Sequence, residues 1–152
     1  MPLPEELRDG SGRIKVLVID AEPGVRHMLA EHLGTRAAPY EVLTAGDGFE
    51  AGRLVATFRP DAILLDLRLP GVDAYQACRT IKADPETSGT VVIGMSAYPS
   101  IEIEARVLEC GATRCFAKPV DPSLLASYLD TLFEQQSGKS KGGKRRRGGA
   151  PG

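Results

Sequence analysis

Five apolar, strand-like runs, each followed by a helix-like segment, fill the chain from residue 14 to residue 134, and this alternation narrows the possible folds more than any other feature. IKVLVID (14–20), YEVLTAG (40–46), AILLDL (62–67), TVVIGMS (90–96) and RCFAK (114–118) read as strands. PGVRHMLAEHLG reads as a helix with Val25, Met28, Leu29, His32 and Leu33 on one face and Gly34 as its stop. Phe49, Arg53, Leu54 and Phe58 outline the face of a second helix, and VDAYQACRTIKAD and SIEIEARVLECG form a third and a fourth. Asp121, a cap, and Pro122, at the first helical position, open a fifth in LLASYLDTLF. Strands alternating with helices at this spacing predict βαβ units, hence an α/β, doubly wound parallel sheet with helices on both faces. AILLDL is so apolar that both of its faces must be covered.

At 152 residues the chain suits one domain, expected over 14–134, after a polar lead-in at 1–13. Residues 135–152 hold Gly, Ser and basic side chains without apolar periodicity, and are expected to be a disordered tail. Six Lys or Arg and no acid lie in 137–152, so residues 1–136 carry a charge of −7, which does not suit nucleic acid beyond weak, salt-sensitive contacts through the tail. Cys78, Cys110 and Cys115 fit no zinc spacing and read as reduced, mostly buried thiols. His27 and His32 stand about 140° apart around a helix, too far to share a metal. Apolar runs fall well short of the roughly 18 residues of a membrane span, and no signal peptide is evident, so the expectation is a cytoplasmic protein.

Four strands end on a polar residue: Asp20, Asp66, Ser96 and Lys118. Alone, each is ordinary, since an Asp caps helices, a Ser occupies turns and a Lys is solvated. A parallel sheet, however, gathers its carboxyl ends at one edge, where ligands bind. Together these residues supply what phosphoryl transfer to a carboxylate requires. Asp66, ending the most apolar strand, is the nucleophile; Asp20 holds a divalent cation, Lys118 takes a phosphoryl oxygen, and Ser96 donates to another.

With Asp20 after KVLVI, Asp66 in DAILLDLRLPG, Ser96-Ala97 after VVIGM, Lys118-Pro119 after ECGATRCFA, a 22-residue step from Ser96 to Lys118 and a Pro70-Gly71 turn, residues 14–134 resemble the receiver domains of two-component response regulators. The resemblance implies a flavodoxin-like fold with sheet order 2-1-3-4-5, five flanking helices and a cis Lys118–Pro119 bond. It implies that Asp66 is the phosphoacceptor, that Ser96, Ala97 and Lys118 bind the phosphoryl group, and that Mg2+ is held by Asp20, Asp66 and the backbone carbonyl of Arg68. It further implies a histidine kinase or phosphotransfer protein as phosphodonor, and signalling through a changed partner surface rather than turnover of an external substrate. The recipient is a downstream protein or a DNA-binding domain outside this chain, and a homodimer is left open.

Three residues depart from the family's pattern. Ala21 stands where a second acid usually follows Asp20, which weakens a site for a hard cation, with Glu22 acting through water as the alternative. Cys115 stands three before Lys118, where a mobile Tyr or Phe is common, and a thiol has no ring to swing. Arg68 places a guanidinium at the pocket mouth, either solvated or paired with Asp66 or Glu22, and Tyr98 is expected to face it as a second modulator of water access. Ala21 and Cys115 keep a second reading open, a pseudo-receiver that retains the fold as an interaction module without metal-dependent chemistry.

Overall fold

The computed structural model describes residues 12–134; the readings of the lead-in up to residue 11 and of the basic tail from residue 135 fall outside them. The elements are β1 (Lys15–Ile19), α1 (Pro23–Gly34), β2 (Glu41–Ala45), α2 (Gly48–Phe58), β3 (Ala62–Asp66), α3 (Ala74–Ala83), β4 (Val91–Ser96), α4 (Ile101–Glu109), β5 (Arg114–Ala117) and α5 (Pro122–Phe133). All pairings are parallel and the strand order is β2-β1-β3-β4-β5. The fold is thus the five-stranded, doubly wound arrangement that the alternation predicts.

Strand periodicity divides the core in two, because successive side chains point to opposite faces. Leu17, Ile19, Ile63 and Leu65 pack with Leu54, Phe58, Cys78 and Val107 beneath α2, α3 and α4. Val16, Val18, Leu64 and Ile93 pack with Leu29, Leu33, Leu125 and Leu129 beneath α1 and α5. Every residue of β3 is buried, as a central strand covered on both faces must be.

Side-chain caps fix where the helices begin. Asp47, Asp73, Ser100 and Asp121 accept hydrogen bonds from the first-turn amides of α2, α3, α4 and α5, meeting donors that the helices cannot satisfy internally. Gly111, just beyond α4, has φ +109, and a Cβ there would lie 2.5 Å from Lys82 Cγ, so glycine is required by both conformation and space.

Two sequence readings are corrected. Phe49, assigned to the buried face of α2, is 87% exposed, because at 100° per residue it lies about 140° from Leu54 and about 180° from Phe58, whereas Ala51, Leu54 and Phe58 share the face toward the core. The last strand ends at Ala117, so Lys118 lies just beyond it, at a cis Lys118–Pro119 peptide.

Candidate functional site

The carboxyl ends of β1, β3, β4 and β5 meet at one edge and bring Asp20, Asp66, Ser96 and Lys118 into a single cluster. Asp20 follows β1 with no exposed surface. Its N–H pairs with the Ala45 carbonyl at 3.1 Å, which carries the sheet one residue past β1. Its Oδ1 accepts the Glu22 N–H at 2.9 Å and its Oδ2 accepts Lys118 Nζ at 2.8 Å. Asp66, also buried, accepts the Arg68 N–H on Oδ1 at 3.0 Å, and its Oδ2 stands 3.7 Å from the same Lys118 ammonium.

Ser96 ends β4 with 2% exposure. Its carbonyl accepts the Lys118 N–H at 2.8 Å, and its Oγ accepts the Tyr98 N–H at 3.1 Å. Ala97 follows it on the exposed loop into α4. Burial lowers the Lys118 pKa, but the hydrogen bond and charge of Asp20, then the charges of Asp66 and Glu22, outweigh it and hold the ammonium above its ordinary value. The cluster therefore sets one retained cation against two buried acidic side chains and offsets only part of their charge.

The residues singled out from the sequence fall on this edge, and of the two readings kept for Arg68 the unpaired one is observed. The Arg68 guanidinium makes no ion pair with Asp66 or Glu22 among the described residues; it lies over the Tyr98 ring, 5.3 Å from the centroid. A stack on an exposed ring leaves the guanidinium hydrated, whereas pairing with buried Asp66 would require desolvating it. Cys115 is half-buried on β5 and packs against the core beneath α4, so no aromatic ring occupies that position.

Arg26 belongs to the site and was missed. Its Nη1 donates to the Asp20 carbonyl at 2.7 Å, and its guanidinium occupies the space over Gly46, where a Cβ would come within 2.7 Å of Nη1. The signal was available: Arg26 stands three and seven residues before Leu29 and Leu33, on the inward face of α1.

Asp20, Asp66 and the Arg68 carbonyl offer only hard oxygen donors. That set suits Mg2+, which is usually held by one or two carboxylates together with phosphate oxygens and several waters. Ala21 adds none, and among the described residues no group of three or more His, Cys, Asp or Glu is placed to hold a metal. The fit is to a sparsely ligated Mg2+ rather than to an all-protein cage. No helix of the described residues is long and apolar enough to cross a membrane.

Comparison with known proteins points the same way as the geometry. The family model described as the response regulator receiver domain matches residues 16–130. The chain is 36% identical over 119 residues to the response regulator PleD of Caulobacter vibrioides, covering 78% of this chain and 26% of that protein. It is 32% identical over 107 residues to sporulation initiation phosphotransferase F of Bacillus subtilis, covering 70% of this chain and 83% of that one. Among solved structures, the signal receiver domain of a DNA-binding response regulator from Colwellia psychrerythraea superposes with a TM-score of 0.76 at 31% identity, covering 80% of this chain and 99% of that one. The chain spans about a quarter of PleD and 49% of another relative, the transcriptional regulator RpaA of Synechocystis.

Proposed function

Since this chain belongs to the response regulator receiver family, we propose that it is a phosphorylatable switch in which Asp66 accepts a phosphoryl group from a phosphohistidine on a kinase or phosphotransfer protein. The observation that carries the reading is the Lys118 ammonium, 2.8 Å from Asp20 and 3.7 Å from Asp66 at the carboxyl edge of the sheet. An Asp66 Oδ attacks phosphorus, the P–N bond to the donor imidazole breaks, and that nitrogen leaves with the bonding pair and is then protonated. Lys118 and the Ser96 hydroxyl meet the phosphoryl oxygens where negative charge accumulates, and the Ala97 N–H is a further donor. Asp20, Asp66 and the Arg68 carbonyl would hold Mg2+, which when bound would supply charge neutralisation for the transferred group. Arg26 holds the Asp20 backbone, and so keeps its carboxylate aimed at the pocket.

Ala21 favours a second reading, a pseudo-receiver that docks partners without chemistry. Intact mass after incubation with acetyl phosphate, with and without Mg2+ and beside Asp66→Asn, separates the two. A phosphoryl mass that requires both Mg2+ and Asp66 is the expected result. No added mass at saturating Mg2+, together with no binding of beryllofluoride, would select the pseudo-receiver.

A further inference from the structure

Cys78 of α3 and Cys110, the residue that closes α4, meet in the seam between those helices, on a part of the molecule that the phosphoacceptor chemistry does not use. α4 runs back from the carboxyl edge of the sheet, so its last turn stands at the opposite edge from Asp66. Both cysteines belong to the core beneath α2, α3 and α4, Cys78 with no exposed surface and Cys110 with 4%. The Cys78 thiol donates to the Cys110 carbonyl at 3.3 Å, which sets its sulfur against the backbone of the second cysteine. The Cys110 sulfur in turn faces α3, where Arg79, the residue after Cys78, donates to it through Nη1 at 3.0 Å. Both sulfurs therefore lie in one seam. Burial first, and then the charge of Cys110, push the Cys78 thiol above its ordinary pKa, as two mutually felt sulfurs require. Their cover differs: Cys78 is sealed by the core, whereas Arg79 is exposed, so Cys110 Sγ lies directly under a surface side chain whose rotation uncovers it. A free cysteine packs as a small hydrophobe, and filling the seam asks no more than that of either residue. The guanidinium over one sulfur, with the other sulfur held against the same residue, is more than packing needs.

We propose that Cys78 and Cys110 are an oxidant-responsive pair, in which a peroxide converts the two thiols into a reversible disulfide that ties α3 to the end of α4. Cys110 reacts first, because a small peroxide reaches its sulfur once Arg79 swings aside, and Arg79 remains beside the thiolate as its counter-charge. The Cys110 thiol releases its proton and the thiolate attacks one peroxide oxygen. The O–O bond breaks, hydroxide leaves and takes up a proton as water, and a sulfenic acid remains. The Cys78 sulfur then attacks the Cys110 sulfur, the S–O bond breaks, and the departing hydroxide takes the Cys78 proton as a second water. Two thiols have lost two electrons and two protons, and one hydrogen peroxide has become two waters. The new bond needs the sulfurs at about 2 Å, so Cys78 gives up its bond to the Cys110 carbonyl and turns toward the sulfur beside it. The link spans 32 positions and encloses β4 and α4, which restricts the unfolded chain and stabilises the folded one. Cys115, on β5, takes no part.

The test exposes the folded full chain to hydrogen peroxide, quenches with acid, and labels the remaining thiols with N-ethylmaleimide in denaturant. Of the three cysteines in the sequence, two should lose their label, and intact mass should show two hydrogens missing. Peptide mapping should join Cys78 to Cys110 and find Cys115 still labelled. Dithiothreitol should restore all three labels, and the linked chain should melt at a higher Tm than the reduced one. Cys78→Ala should leave a sulfenic acid on Cys110 that dimedone traps, and Arg79→Gln, which keeps a side chain over the sulfur without its charge, should slow the loss of label. Three labels retained by the folded chain, a link that includes Cys115, or a Cys78–Cys110 link formed only in urea would each overturn the inference. None of these outcomes bears on Asp66, so the phosphoacceptor reading stands or falls separately.

Discussion

Lys118 keeps its proton because two opposing effects do not balance: burial disfavours the charge, and the carboxylates of Asp20 and Asp66 favour it more. The same ammonium is what makes a fully buried Asp20 tolerable. Lys118→Met should therefore leave Asp20 with an uncompensated charge and destabilise the fold by roughly 2–3 kcal/mol in urea unfolding without Mg2+. Adding Asp20→Asn should recover part of that loss, whereas additive losses would show that the two side chains are not coupled. Ala21 makes the complementary prediction. Ala21→Asp should tighten Mg2+ binding by about tenfold, the low end of what a supporting group contributes to a metal site, as read by titration calorimetry. Unchanged affinity would mean that residue 21 does not face the cation. Asp20, Asp66, Ser96 and Lys118 were legible in the sequence because a polar residue ending an apolar run is conspicuous and a parallel sheet gathers such ends. Arg26 was passed over although its register with Leu29 and Leu33 set it on the inward face of α1, since a cation on an amphipathic helix ordinarily reads as solvated until the carbonyl it serves is located. Phe49 was misread although the helical period places it about 180° from Phe58, because its apolar side chain was weighed above its register.

α5 is fastened to the α1 side of the sheet by a polar clamp that no periodicity predicts. Arg36, in the loop after α1, donates through two nitrogens to Asp130 at 2.8 and 2.6 Å, and the Tyr40 hydroxyl donates to Asp130 Oδ1 at 2.8 Å. Arg36 and Asp130 are 94 residues apart, and the sequence showed Asp130 only as one acid in a helical pattern. The order and type of the elements were legible because apolar periods of two and 3.6 repeat cleanly; a contact between a loop and a distant helix leaves no such period. Burial, followed by the bond to Asp130, raises the Tyr40 pKa above its ordinary value. The folded phenol thus holds its proton at pH values where the unfolded one, near 10, loses it. Its contribution is complete below about pH 10 and is lost as pH rises beyond that. Tyr40→Phe should cost about 1 kcal/mol at pH 7. It should also make the fall in stability between pH 10 and 11.5 shallower by up to about 1.4 kcal/mol per pH unit, the slope of one proton, measured by urea unfolding across that range. A variant with an unchanged alkaline slope would place the responsible proton elsewhere.

At the scale of the whole molecule, the site joins four strands that unfolding must separate: β1 through Asp20, β3 through Asp66, β4 through Ser96 and β5 through the residue that follows it, Lys118. Parallel pairing was legible from the alternation, because consecutive parallel strands need the intervening helix as a crossover. The order 2-1-3-4-5 was implied by family resemblance alone, since strand neighbours leave no mark in a single sequence. That order puts β3 at the centre with β1 and β4 beside it, so a ligand on Asp66 touches residues from both flanking strands. Binding to the folded state alone should then stabilise the entire domain. At about one hundred times its dissociation constant, a phosphoryl mimic contributes about 2.7 kcal/mol. For a domain of this size each kcal/mol raises Tm by about 4 °C. Mg2+ with beryllofluoride should therefore raise the Tm of the unaltered chain by about 10 °C in a single cooperative transition, and should leave Asp66→Asn unmoved. An equal rise in both would mean that the ions act over the acidic surface rather than at Asp66. A rise confined to the unaltered chain but split into two transitions would mean that the carboxyl edge of the sheet unfolds separately from the core beneath it.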